Sequence, residues 1–74
     1  MKCRVMSADR DDELAWVAWP SAPRPGDTVH VRNENHDVRA TVVRVEWWAR
    51  EWAAGLGVCE GFAEVWVRED EAVA

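Results

Sequence analysis

Residues 27 to 42, "DTVHVRNENHDVRATV", alternate apolar and polar side chains around a short polar centre. Strict alternation marks a strand with one buried face. Taking "NENH", residues 33–36, as the loop sets Arg32 opposite Asp37, Val31 opposite Val38 and His30 opposite Arg39. Val29 then faces Ala40, and Thr28 faces Thr41. Val29, Val31, Val38 and Ala40 share one face, while the Arg–Asp and Thr–Thr pairs on the other are favourable cross-strand partners. The continuation "ATVVRVEWW" breaks the alternation. One extra residue near Val43–Arg44, a β-bulge, restores it and makes Val45 and Trp47 the next inward pair. "FAEVWVRE", residues 62–69, predicts a last strand with Ala63, Val65 and Val67 inward and Phe62, Glu64, Trp66 and Arg68 outward.

Nearer the N-terminus, residues 2–8 and 13–19 are β-prone runs separated by "DRDD" and read as a hairpin. Its register is not settled by the pattern. Val5 facing Val17, with Cys3 near Trp19, puts Met6 and Trp16 on the opposite face, and a one-residue slip would exchange the faces. The three prolines of "PSAPRP", residues 20–25, read as an extended connector rather than a Pro-x-x-Pro ligand. Residues 49–61 are expected to be a loop, with at most a helical turn over 50–54 closed by Gly55. The acidic end, residues 69–74, is expected to fray.

At 74 residues the chain is one domain, 1–74, near the lower limit for folding without a metal or disulfide. Its 49 % apolar and 31 % charged residues are a globular composition. Arginine outnumbers lysine eight to one, and isoleucine, tyrosine and glutamine are absent, a bias expected of a GC-rich bacterial genome. A net charge of −5 argues against non-specific nucleic-acid binding, which depends on neutralising phosphates. No apolar run approaches a membrane span, and "MKCRVMSADRDDE" turns acidic too early for a signal peptide. The expectation is a cytoplasmic protein with Cys3 and Cys59 reduced and no membrane partner.

The residues Pro23, Arg24, Gly26, Asp27 and Val29, followed by Ala40, Val42, Val45 and Trp47, resemble the corner and following strand of small barrels of the Src-homology-3-like class. Small bacterial and phage proteins of unassigned function share this "PRxGDxV" corner. The resemblance spans residues 2–68 and implies an all-β, five-stranded barrel with an N-terminal hairpin. It says little about activity, since such barrels host many functions. Signalling members hold proline-rich peptides with tyrosines, and this chain has none.

Candidate chemistry is thin. Cys3, Cys59, His30 and His36 lack the close ligand pairs of a zinc site. "DRDDE", residues 9–13, lacks the glycine and distal glutamate of a calcium loop. Ser7 and Ser21 have no base beside them. No catalytic residue, metal or cofactor is expected, and the protein is not expected to be an enzyme.

Six tryptophans remain. Trp19 and Trp47 are expected inside and Trp48 and Trp66, with Phe62, outside on neighbouring strands; Trp16 and Trp52 are unassigned. Tryptophan is enriched at interaction hot spots. The candidate interaction residues are therefore Trp48, Trp66, Phe62 and Trp52, serving a protein partner or a homodimer unless residues 49–61 or the first hairpin fold over them as a second small core. The alternative is single-stranded nucleic acid stacked on Trp48 with charge from Arg39 and Arg44. A sugar site or small enzyme built on the tryptophans is a third reading.

Overall fold

The alternating register around "NENH" is realised pair for pair, from Thr28 opposite Thr41 to Arg32 opposite Asp37. In the computed structural model, residues 1–51 and 59–70 are described. They form five strands: β1 (Lys2–Ser7), β2 (Asp12–Ala18), β3 (Thr28–Arg32), β4 (Asp37–Glu51) and β5 (Cys59–Glu69). Asn33 closes the β3–β4 turn: its Oδ1 accepts the amides of Asn35 and His36, as turn asparagines do.

The break in the alternation is a bulge. Val42 lies opposite Val67 and Arg44 opposite Trp66, so Val43 is the extra residue and is turned outward. Val45 thereby reaches the core side opposite Val65. The strain of one inserted residue bends the strand and strengthens its twist. That helps curl the sheet, whose order is β2-β1-β5-β4-β3, into a half-barrel with β2 and β3 as its edges. The parallel β1–β5 pairing joins the N-terminal hairpin to the β3–β4–β5 meander.

The first hairpin corrects the expected register. Cys3 lies opposite Val17 and Val5 opposite Ala15, two residues away from the Val5–Val17 pairing. The loop turns early, with the Asp11 amide on the Ser7 carbonyl (2.8 Å), and a bulge at Val5/Met6 leaves Leu14 as an inserted, buried residue. A shift of two preserves the faces, because side chains alternate with a period of two. Trp19 still packs on the core, anchored by reciprocal bonds with Met1: Trp19 N–H to Met1 O (2.9 Å) and the Met1 ammonium to Trp19 O (2.7 Å).

The proline corner is structural. Gly26 has φ +95°, a region that favours glycine, and its amide bonds to the Val42 carbonyl at 2.8 Å. Asp27 Oδ2 accepts the Arg24 amide at 2.9 Å, and its carbonyl takes the Val42 amide. The connector is thus pinned to the bulge it precedes. The core consists of Cys3, Val5, Leu14, Val31, Ala40, Val42, Ala63, Val65 and Val67.

Two further expectations are overturned. Residues 49–51 and 59–61 are strand rather than loop, so no helical turn begins at Arg50; residues 52–58, with Trp52 and Gly55, lie outside the described residues. Trp47 has the inward parity but is 64 % exposed. The described part of β1 begins pairing with β5 at Cys3–Ala63, the level of Trp47, and the β4–β5 ribbon runs on beyond that level. The inward face there has no opposite wall among the described residues. Likewise, among the described residues no helix is long and apolar enough to cross a membrane.

Candidate interaction surface

Outward positions of four strands meet on the convex face. Trp48 lies opposite Phe62, and their rings stack with centroids 6.3 Å apart and planes 12° from parallel. Trp16 reaches the same Phe62 edge-on at 5.1 Å and 65°. The three rings form a row from β2 across β1 to β5 and β4. Lys2 Nζ sits 5.1 Å from the Trp16 ring, a cation–π distance that fixes the indole over β1. Trp16 and Trp48 remain 45 % and 50 % exposed, so the row is ordered by its own contacts and still open to solvent.

Trp66 stands apart. It is four residues from Phe62 along β5, about 13 Å at strand spacing. It is half-buried, with the Arg44 guanidinium 4.5 Å from its ring and its Nε1 donating to Glu64 Oε1 at 2.8 Å. The expected side-by-side pair of Trp48 and Trp66 is therefore corrected: both face outward on adjacent antiparallel strands, but the Glu46–Glu64 pair intervenes.

That intervening row is electrically closed. Glu64, only 6 % exposed, takes the Arg4 guanidinium at 3.4 Å, and Arg4 also bridges Glu13 at 2.8 Å. Arg44 bridges Glu46 at 3.2 Å. A carboxylate this buried requires such partners. Lys2, Arg4 and Arg44 equal Glu13, Glu46 and Glu64 in number, so these six side chains are together neutral in a chain of charge −5.

At the open end of the sheet, Met1, Trp47, Trp48, Ala49, Gly61 and Phe62 line a groove of about 330 Å³. Gly61 keeps the strands flush there, since a Cβ on it would lie 3.2 Å from the Trp48 carbonyl oxygen.

The remaining candidates are dispersed. His30 is exposed opposite Arg39, and among the described residues no three His, Cys, Asp or Glu side chains group as metal ligands. Ser7 is buried, its Oγ accepting the Arg10 amide at 3.2 Å. Burial pushes the Cys3 thiol above its ordinary range, partly countered by the Met1 ammonium.

Of the four candidate interaction residues, Trp48 and Phe62 come together, Trp66 is set apart, and Trp52 lies outside the described residues. Trp16, left unassigned by the sequence reading, completes the row. Its signal was face parity with Met6, which holds under either even register of the first hairpin. No family model, curated protein or solved structure matches the chain.

Proposed function

We propose that this protein is a non-enzymatic binding module, a small barrel of the Src-homology-3-like class, that docks protein through the Trp16–Phe62–Trp48 row. The observation that carries this reading is an ordered run of aromatic rings whose two tryptophans, Trp16 and Trp48, are left half-exposed on either side of Phe62. The largest exposed apolar patch of a small protein is often its functional surface. Large rigid rings also add contact area at small conformational cost.

Single-stranded nucleic acid is less well supported. Stacking on tryptophan needs unpaired cations alongside. Arg44 is engaged with Glu46 and Trp66, and Arg39 with Asp70 at 3.5 Å.

The immobilised chain should retain a protein from its host extract, and Trp16→Ala, which removes a half-exposed ring from an edge strand, should lose that retention while its circular dichroism stays that of the parent. Retention undiminished in Trp16→Ala, or salt-sensitive binding of a labelled oligonucleotide in place of protein, would overturn the reading.

A further inference from the structure

The bulge in β4 does more than bend the strand. On a regular strand Val43 and Arg44 would point to opposite faces. The inserted residue leaves both exposed, with Arg44 opposite Trp66. From the other side of β5 the β1–β2 turn approaches the same place. Its Ala8 amide bonds to the Val67 carbonyl at 2.8 Å, and its Asp11 amide to the Ser7 carbonyl at 2.8 Å. Asp11 holds φ +55°, a left-handed conformation that aspartate tolerates better than most residues. Between turn and bulge lies a cleft of about 200 Å³ lined by Ala8, Asp11, Val43, Arg44 and Trp66. β1 and β4 both flank β5, so the backbones of its two walls stand two strand spacings apart, about 10 Å.

The two charged walls have opposite signs and do not meet. Among the described residues the Asp11 carboxylate has no hydrogen-bond or ion-pair partner. Arg44 is held on two sides, with Nε 3.2 Å from Glu46 Oε1 and the guanidinium 4.5 Å from the Trp66 ring. That ring is itself fixed, since its Nε1 donates to Glu64. The two terminal nitrogens of Arg44 are left without an acceptor among the described residues. A guanidinium fork held in place this way suits a carboxylate, which it can bind bidentately. The charge of the ligand follows. A phosphate would meet Asp11 and Glu46 as well as Arg44, in a chain of charge −5. A plain amine would meet Arg44 across from Asp11. A molecule carrying a carboxylate and an ammonium a few ångströms apart satisfies both walls.

We propose that this cleft binds a free α-amino acid with a small aliphatic side chain. The ligand's carboxylate rests on the terminal nitrogens of Arg44, its ammonium on the Asp11 carboxylate, and its side chain against Ala8 and Val43. Size agrees: the cleft is smaller than the roughly 300–1,000 Å³ of sites for drug-sized molecules, so the ligand is a small one. The bulge supplies one apolar and one cationic wall from consecutive residues, which a regular strand could not do. Trp66 stands four residues from Phe62 along β5, so this site is separate from the Trp16–Phe62–Trp48 row and is not part of the docking reading.

Titration with L-valine to about 10 mM, followed by amide chemical shifts, should move Ala8, Asp11, Val43, Arg44 and the Trp66 indole in a saturable way. Propionate, butylamine and inorganic phosphate at matched ionic strength should each bind about tenfold or more weakly than valine. Asp11→Asn, which keeps a side chain tolerant of the left-handed backbone, should weaken valine about tenfold or more. Arg44→Lys, which keeps the charge and removes the fork, should do the same. If Arg44→Lys lowers the unfolding midpoint, Asp11→Asn decides alone, since Asp11 is exposed and outside any ion pair among the described residues. No saturable shift with valine, propionate, phosphate or butylamine as tight as valine, or undiminished binding in folded Asp11→Asn would each overturn the proposal. Trp16→Ala should bind valine as the parent does, so loss of protein docking and failure of this site are separate results.

Discussion

Gly26 and Asp27 carry the corner that pins the connector to the bulge, by different means. A Cβ on Gly26 would meet nothing within 4 Å, so Gly26→Ala should destabilise through its φ of +95° alone. The expected loss is about 1 kcal/mol in urea unfolding. Asp27 acts through one acceptor, Oδ2 on the Arg24 amide. Asp27→Ala should cost about 1 kcal/mol, and Asp27→Asn, which keeps a carbonyl acceptor, should recover most of it. Equal losses in both Asp27 variants would mean that the hydrogen bond is not what matters. Cys3 offers a test of a different kind. Its thiol is buried and titrates above its ordinary value of 9.0, so the folded state holds the proton more tightly than the unfolded chain. The resulting stability is fully present below that ordinary value and is lost as pH rises through the folded one. In a Cys59→Ser background, a thiol reagent at neutral pH should therefore modify Cys3 only as fast as the protein unfolds, since the thiolate is the reactive form.

At the level of strands, legibility followed local chemistry. The β3–β4 hairpin was readable to the pair because alternation, the turn asparagine and the Arg32–Asp37 and Thr28–Thr41 partners all specify one register. The Val43 bulge was readable because Val42 and Val45 cannot both face inward on a regular strand. The first hairpin was readable only to its faces: nothing in "DRDD" fixes where the turn begins, and the insertion of Leu14 leaves no mark on the pattern. The parallel β1–β5 pairing is a long-range choice with no local signature. Trp47 failed for another reason. Parity assigns a face, whereas burial needs an opposite wall, and a strand that outruns its neighbours has none. The candidate interaction surface suffered likewise: Phe62 and Trp48 followed from strand pairing, but the separation of Trp66 depended on where along β5 each residue falls. Trp66→Ala now carries a specific expectation. It removes a half-buried ring beside Met6 and Arg44 and strips buried Glu64 of its indole donor. Stability should fall by about 2 kcal/mol, below a full core truncation because the ring is partly exposed. Protein binding through the Trp16 row should be unchanged, and loss of binding without loss of stability would place Trp66 in the interface instead.

Over the whole molecule, a half-barrel must keep its two edges in relation without a ladder between them. β2 and β3 are the outermost strands. Asn33, at the end of β3, reaches across to β2 with Nδ2 donating to the Leu14 carbonyl at 3.0 Å, while its Oδ1 holds the β3–β4 turn. The inserted Leu14 therefore does two things: its side chain fills the core, and its carbonyl receives the opposite edge. The asparagine amide supplies the donor and the acceptor from two separate atoms, so one side chain can serve both places at once. Asn33→Asp keeps the turn acceptor, removes the bridge and sets a carboxylate beside a carbonyl; Asn33→Ala removes both functions. If the bridge holds the curl, Asn33→Asp should lose about 1 kcal/mol or more of stability, and Asn33→Ala should lose further turn stability. Hydrogen exchange would separate the two effects. In Asn33→Asp the amides of β2 should exchange faster than in the parent while those of β4 around residues 37–41 keep their protection, because the turn survives and only the link across the mouth is gone. Faster exchange in the β3–β4 hairpin with β2 unchanged would show that the asparagine serves the turn alone and that the core, through Leu14 and Val31, sets the curl without it.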